Sequence, residues 1–149
     1  MAIETERKFL VKGSFEHLAS GKKAIKQYYL SVNPERTIRI RITDKRAVLT
    51  VKSGVFKESF SRSEWEFEIP LNDAMEMISI SIPGMIEKTR FIIPAGKHTF
   101  EVDVFHGKNE GLVIAEIELQ SESDEFERPE WLGEEVTGNP EYYNSNLIK

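Results

Sequence analysis

Glu4, Glu6 and Lys8 stand two residues apart near the start of the chain, and Glu116 and Glu118 repeat that spacing near its end. In an extended strand, residues two apart project from one face, so each run sets its charged groups side by side. The same pattern recurs along the chain. Arg39 and Arg41 share a face opposite Ile38, Ile40 and Ile42, and Thr50 and Lys52 oppose Leu49 and Val51. Arg62, Glu64, Glu66 and Glu68 oppose Trp65, Phe67 and Ile69. Lys88 and Arg90 oppose Thr89 and Phe91, and Glu101 and Asp103 oppose Phe100, Val102 and Val104. A solvated sheet face ordinarily intersperses both signs of charge. Here the signs are segregated by strand, and neighbouring like charges repel unless something offsets them.

Turned inward, these faces would line a lumen. Its acids are Glu4, Glu6, Glu64, Glu66, Glu68, Glu101, Asp103, Glu116 and Glu118, and its bases are Lys8, Arg39, Arg41, Lys52, Arg62, Lys88 and Arg90. Carboxylates clustered without cysteine or histidine suit a hard cation held by oxygen, meaning Mg²⁺ or Mn²⁺. Clustered arginine and lysine suit phosphate oxygens. The expected ligand is a metal-complexed polyphosphate. His17, His98 and His106 lack metal-ligand spacing and read as surface residues.

The elements that must position these groups are mostly strands. Alternation and turn signals place them at 3–11, 24–32, 36–43, 46–52, 57–69, 85–93, 97–105 and 112–120. Short helical pieces are expected at 15–19, at 74–78 behind an Asn72-Asp73 cap, at 121–127 and from 141 onward, with 129–140 irregular. Met75, Met77, Ile78 and Ile80 read as helix-to-barrel packing. Short connections between consecutive strands favour antiparallel neighbours, and eight in a row favour closure, which removes exposed edges. The expected fold is mainly β (α+β): an eight-stranded antiparallel barrel with a charged lumen and short helices packed outside, one domain over 1–149.

Composition narrows the function classes. The absence of cysteine excludes a disulfide framework, a thiolate zinc site and a cysteine nucleophile. A net charge of −5 argues against a nucleic-acid partner. No apolar run approaches the roughly 18 residues of a membrane span, and the first residues lack the apolar stretch of a secretory signal. A cytoplasmic setting is expected.

Glu4-Thr5-Glu6-Arg7-Lys8-Phe9-Leu10 resembles the ExExK signature of the CYTH superfamily, the triphosphate tunnel metalloenzymes. Further matches follow in the same order. They are Gln27-Tyr28-Tyr29-Leu30, Arg39-Ile40-Arg41, Leu49-Thr50-Val51-Lys52, the run from Arg62 to Glu68, Glu87-Lys88-Thr89-Arg90-Phe91, Glu101-Val102-Asp103-Val104-Phe105 and Ala115-Glu116-Ile117-Glu118-Leu119. The tail, from Trp131 to Thr137 and from Tyr142 to Leu147, is similar to the small bacterial members.

The resemblance implies a metal-dependent hydrolase of triphosphate compounds, with inorganic triphosphate leading, ATP a poorer substrate and thiamine triphosphate another. It equally admits a class IV-type adenylate cyclase on the same site. By position, Glu4, Glu6, Glu116 and Glu118 match metal-binding acids, and Asp103 joins Glu64 or Glu66 at a second ion. Lys8, Arg39, Arg41, Lys52, Lys88 and Arg90 match the grip on the triphosphate, with Arg62 beside them. Lys8, Lys88 and Glu66 are candidate catalytic groups, an acid among Glu4, Glu6, Glu64 and Glu66 orienting the attacking water. Tyr29 is either a tunnel residue paired with Lys88 or a packing residue.

Overall fold

A computed structural model describes residues 1–148. Nine strands form one sheet: β1 (Ala2–Val11), β2 (Gly21–Asn33), β3 (Arg36–Thr43), β4 (Arg46–Ser53), β5 (Ser61–Ile69), β6 (Ile86–Ala95), β7 (His98–Phe105), β8 (Val113–Glu118) and β9 (Leu132–Glu135). Eight of them run β5-β4-β3-β2-β6-β7-β8-β1, and a β1–β5 pairing closes the ring. All neighbours are antiparallel. Closure satisfies both edges of every barrel strand, as expected for a chain of consecutive short-looped strands.

β9 lies in the segment read as irregular. β5 pairs with β1 only over Ala2–Thr5, which leaves the same edge of β1 unpaired further along. β9 takes up that edge, with Phe9 opposite Glu135 and Val11 opposite Leu132. The approach is close: a Cβ on Gly133 would stand 2.8 Å from the Leu10 carbonyl oxygen. Four residues including a glycine carry too little alternation to announce a strand. β5 begins at Ser61 rather than 57, because the turn at 57–60 includes Glu58 at φ +56°.

The outside is covered by two different devices. α1 (Leu71–Ile78) packs Ala74, Met77 and Ile78 over Ile40, Ala47 and Leu49. It starts ahead of the expected cap, with Pro70 at the N-cap and its carbonyl accepting the Ala74 N–H at 3.0 Å. Met75 and Ile80 stay exposed instead of packing on the barrel. The expected helix at 121–127 is an irregular strap. Leu119, Phe126, Trp131 and Leu132 seal the outer residues Phe9, Phe100, Val102, Ala115 and Ile117. Trp131 meets Phe100 edge-on at 5.2 Å. Arg7 and Arg128 lie over the Phe126 ring at 5.1 and 4.9 Å, which pins the strap against the sheet.

A further apolar group lies inside the barrel. Ile86, Phe105 and Ile114 share the face of Gln27, Lys88 and Asp103 by register, and Tyr29 joins them. Leu147 packs on this group from the tail, which forms two 3-10 turns (Pro140–Tyr142 and Asn144–Asn146) in place of the expected helix. One end of the lumen is therefore stoppered by apolar side chains.

Candidate active site

Every candidate site residue occupies the barrel's inner face, because cross-strand partners share a face and the register shift of β2 against β3 comes only after Tyr29. The groups fall into four sets.

Next to the stopper, Lys88 Nζ stands 2.7 Å from Asp103 Oδ2. Arg90 grips Asp103 with two bonds, Nε to Oδ1 at 2.7 Å and Nη2 to Oδ2 at 2.9 Å. Arg90 also donates to Glu101 at 3.1 Å and lies 3.7 Å from Glu116. Burial alone would raise the Asp103 carboxyl, but Lys88 and Arg90 outweigh it and hold it below its ordinary range. Burial pushes Lys88 down to about 8 against the pull of Asp103. Asn144 Oδ1 accepts from Lys88 Nζ at 3.0 Å, and the Tyr142 carbonyl accepts from Lys8 Nζ at 3.2 Å. The tail thus completes two lumen lysines, a role that Tyr142 and Asn144 gave no sign of as isolated polar residues.

On the second wall, Lys52 Nζ lies 2.8 Å from Glu4 and 3.3 Å from Glu64, and Arg62 Nε donates to Glu4 at 3.2 Å. Burial works to raise Glu4, yet Lys52 and then Arg62 bring it to about 2. Glu64 goes the other way: burial and its hydrogen bond with Glu4 raise it to about 7. Glu66 is exposed and accepts from Thr50 Oγ1 at 3.1 Å. Glu68 pairs with Arg46 in solvent and stands apart from the site.

The third wall is β3. Among the described residues Arg39 and Arg41 form no ion pair. Burial, and then Arg39 and Arg90, press Arg41 down to about 10. Tyr29 sits directly across from Arg39 in the register. Tyr29 also packs in the stopper, and the Lys88 expected to pair with it bonds Asp103 and Asn144 instead.

Glu6, Glu116 and Glu118 face one another across β1 and β8. Burial, then Glu116 and Glu4, raise the Glu6 carboxyl well above its ordinary range. Glu116 is held well below it against burial, by Lys8, Arg90 and Lys88. Among the described residues no three acids or histidines converge as a ready-made cage, since the carboxylates are occupied by lysine and arginine. The donor set is nevertheless one of oxygen alone. A carboxyl raised by burial and by two neighbouring carboxylates is also a place where a divalent cation relieves the repulsion. This donor set fits a hard divalent cation, which Glu4, Glu6, Glu116 and Glu118 could hold.

An open cavity of about 430 Å³ lies at the other end, lined by Lys97, His98, Thr99, Glu101, Glu118 and Asp124 among others. His98 there pairs with Asp124 at 3.1 Å.

A closed antiparallel barrel with unpaired guanidiniums on one inner wall and crowded carboxylates on another defines a class of charge-lined tunnel proteins. This chain belongs to the CYTH domain family, whose profile matches residues 2–147. It is 42% identical to an inorganic triphosphatase of Acetivibrio thermocellus, covering all of this chain and 95% of that one. It is 35% identical to an inorganic triphosphatase of Nitrosomonas europaea over 97% of this chain and 95% of that one. A crystal structure of an inorganic triphosphatase superposes with a TM-score of 0.67 at 30% identity, covering 97% and 96% of the two chains.

Proposed function

We propose that this chain is a divalent-metal-dependent hydrolase that cleaves inorganic triphosphate to pyrophosphate and phosphate. One observation carries the reading: among the described residues Arg39 and Arg41 are half-buried cations without a carboxylate, on a wall facing acids where burial, then Glu116 and Glu4, raise the Glu6 carboxyl. One side of the lumen lacks an anion and the other lacks a cation, and a metal polyphosphate supplies both. The relatives named inorganic triphosphatases support the same substrate class.

Arg39, Arg41, Lys52, Lys88, Arg90 and Lys8 bind phosphoryl oxygens, and Arg62 adds charge beside Glu4. On substrate entry Lys52 exchanges Glu4 for a phosphoryl oxygen, which frees the Glu4 carboxylate. Bound Mg²⁺ or Mn²⁺ supplies charge neutralisation on the phosphoryl oxygens as the terminal P–O bond breaks. Glu4, Glu6, Glu116 and Glu118 would hold one ion, and Asp103 with Glu64 or Glu66 a second. Glu66, with Glu64 beside it, orients the attacking water and takes its proton. Lys8 and Lys88 offset charge on the phosphoryl groups, and Tyr29 holds Arg39 in place. Most of the rate comes from positioning and preorganised charge.

The test is product analysis with Mg²⁺ or Mn²⁺, comparing inorganic triphosphate with ATP and thiamine triphosphate. The expected result is phosphate released fastest from inorganic triphosphate. Cyclic AMP and pyrophosphate from ATP, or faster turnover of thiamine triphosphate, would overturn the assignment.

A further inference from the structure

Among the described residues, two buried side-chain atoms lack a hydrogen-bond partner: Gln27 Nε2 and Arg39 Nε. Both are N–H donors. Both lie on the inner face of neighbouring strands, where Gln27 stands across from Arg41 and Tyr29 across from Arg39. Gln27 is wholly buried. Its Oε1 accepts from Arg41 Nε at 3.2 Å. Arg41 Nε can only donate, so the amide's orientation is settled and its NH₂ is directed elsewhere.

A buried donor without an acceptor costs free energy, and folded proteins rarely leave one. Here two are left adjacent, in a lumen where every other buried side-chain polar atom of the described residues is paired. What completes two donors beside two guanidiniums is an acceptor carrying negative charge. Gln27 also marks a boundary. Its other cross-strand neighbour is Ile86 of the stopper, and Ile25 on the same face stands across from Lys88. The oxygen it serves therefore belongs to the part of a ligand that reaches deepest.

We propose that Gln27 is a substrate-contacting residue. Its side-chain amide donates to an oxygen of the phosphoryl group at the stoppered end, and Arg41 orients it for that task. This rests on the lumen being a polyphosphate site. A neutral donor adds a directed bond there without deepening the repulsion among Arg39, Arg41 and Arg90.

The test uses the full chain labelled with nitrogen-15, the hydrolysis-resistant imido analogue of tripolyphosphate, and Mg²⁺. Gln27→Glu identifies the Gln27 side-chain NH₂ resonances by their loss. The expected result is a downfield shift of one of those protons that saturates with the analogue. Gln27→Glu keeps the oxygen facing Arg41 and removes the donor, whereas Gln27→Met removes both. Each should raise KM for tripolyphosphate about tenfold or more, with kcat changed far less. Saturable binding by calorimetry with unmoved Gln27 resonances, or wild-type KM in Gln27→Glu beside an impaired Gln27→Met, would reduce Gln27 to a support for Arg41. Failure of wild type to bind the analogue at all would overturn the polyphosphate site itself.

Discussion

Glu6 and Glu116 lie on facing strands, the first half-buried and the second buried, and behave oppositely. Burial pushes both up, but Glu116 faces Lys8, Arg90 and Lys88 and is held well below its ordinary range, whereas Glu6 faces Glu116 and Glu4 and is raised well above it. Removing the Glu116 charge should therefore weaken the cation site while sparing the guanidiniums of β3. Glu116→Gln is expected to abolish triphosphate turnover and retain metal-independent tripolyphosphate binding by calorimetry. Persistent turnover would remove Glu116 from the metal set. Glu64 sets a pH window. Its folded pKa of about 7 lies above the ordinary 4.5, so the stability tied to its proton is present below 4.5 and is lost as pH rises through 7. Glu4, held at about 2, acts in reverse, losing its contribution only as pH falls toward 2. Divalent ions need the ionised carboxyl. Mg²⁺ affinity should climb between about pH 5 and about pH 8, and Glu64→Gln should flatten that climb in calorimetric titrations. The faces of these residues were legible from period two alone. Their partners were not: Arg90 reaches Asp103, Glu101 and Glu116 from two other strands, and no spacing rule encodes that choice.

The same limit holds for elements. Seven barrel strands match the sequence reading to within a few residues, because a half-buried strand must alternate. β9 escaped because its strand conformation comes from a bare stretch of the β1 edge, not from its own four residues. Gly133→Ala places a methyl 2.8 Å from the Leu10 carbonyl and should force β9 from β1. About 1–3 kcal/mol of stability should be lost in denaturant unfolding. An unchanged midpoint would show that β9 tolerates a wider spacing. The segment 121–127 of the strap, expected to be helical, is irregular for a related reason. Polar residues at 121–125 carry no strand alternation, yet Phe126, Trp131 and the flanking leucines anchor it to the barrel's outer face.

Across the whole molecule, burial is inverted relative to an ordinary barrel. Apolar faces look outward under α1 and the strap, and the lumen buries Glu4, Lys52, Lys88, Arg90, Asp103 and Glu116. Buried ion pairs repay little of their desolvation, so this interior is a store of unfavourable charge that a bound ligand relieves. Mg²⁺ or Mn²⁺ should accordingly raise the unfolding midpoint in a dose-dependent way. The gain should approach about 2.7 kcal/mol at a hundredfold excess over Kd, by thermal unfolding with and without chelator. Glu116→Gln should blunt the effect, and a midpoint indifferent to both metals would remove the divalent site from the lumen.

By itself the sequence determined which side chains share a face, the sign of each face and the antiparallel succession of strands. All of these depend on backbone periodicity and short connections, which act between near neighbours in the chain. Only the tertiary structure decided that one end of the lumen is stoppered by Ile86, Phe105, Ile114 and Leu147. It also decided that the tail lends Tyr142 and Asn144 to the lumen lysines, and that Gln27 and Arg39 are left with unanswered donors. These depend on the stagger at which the barrel closes and on where the last residues dock. Closure brings residues more than a hundred positions apart into contact, and no local pattern carries that distance.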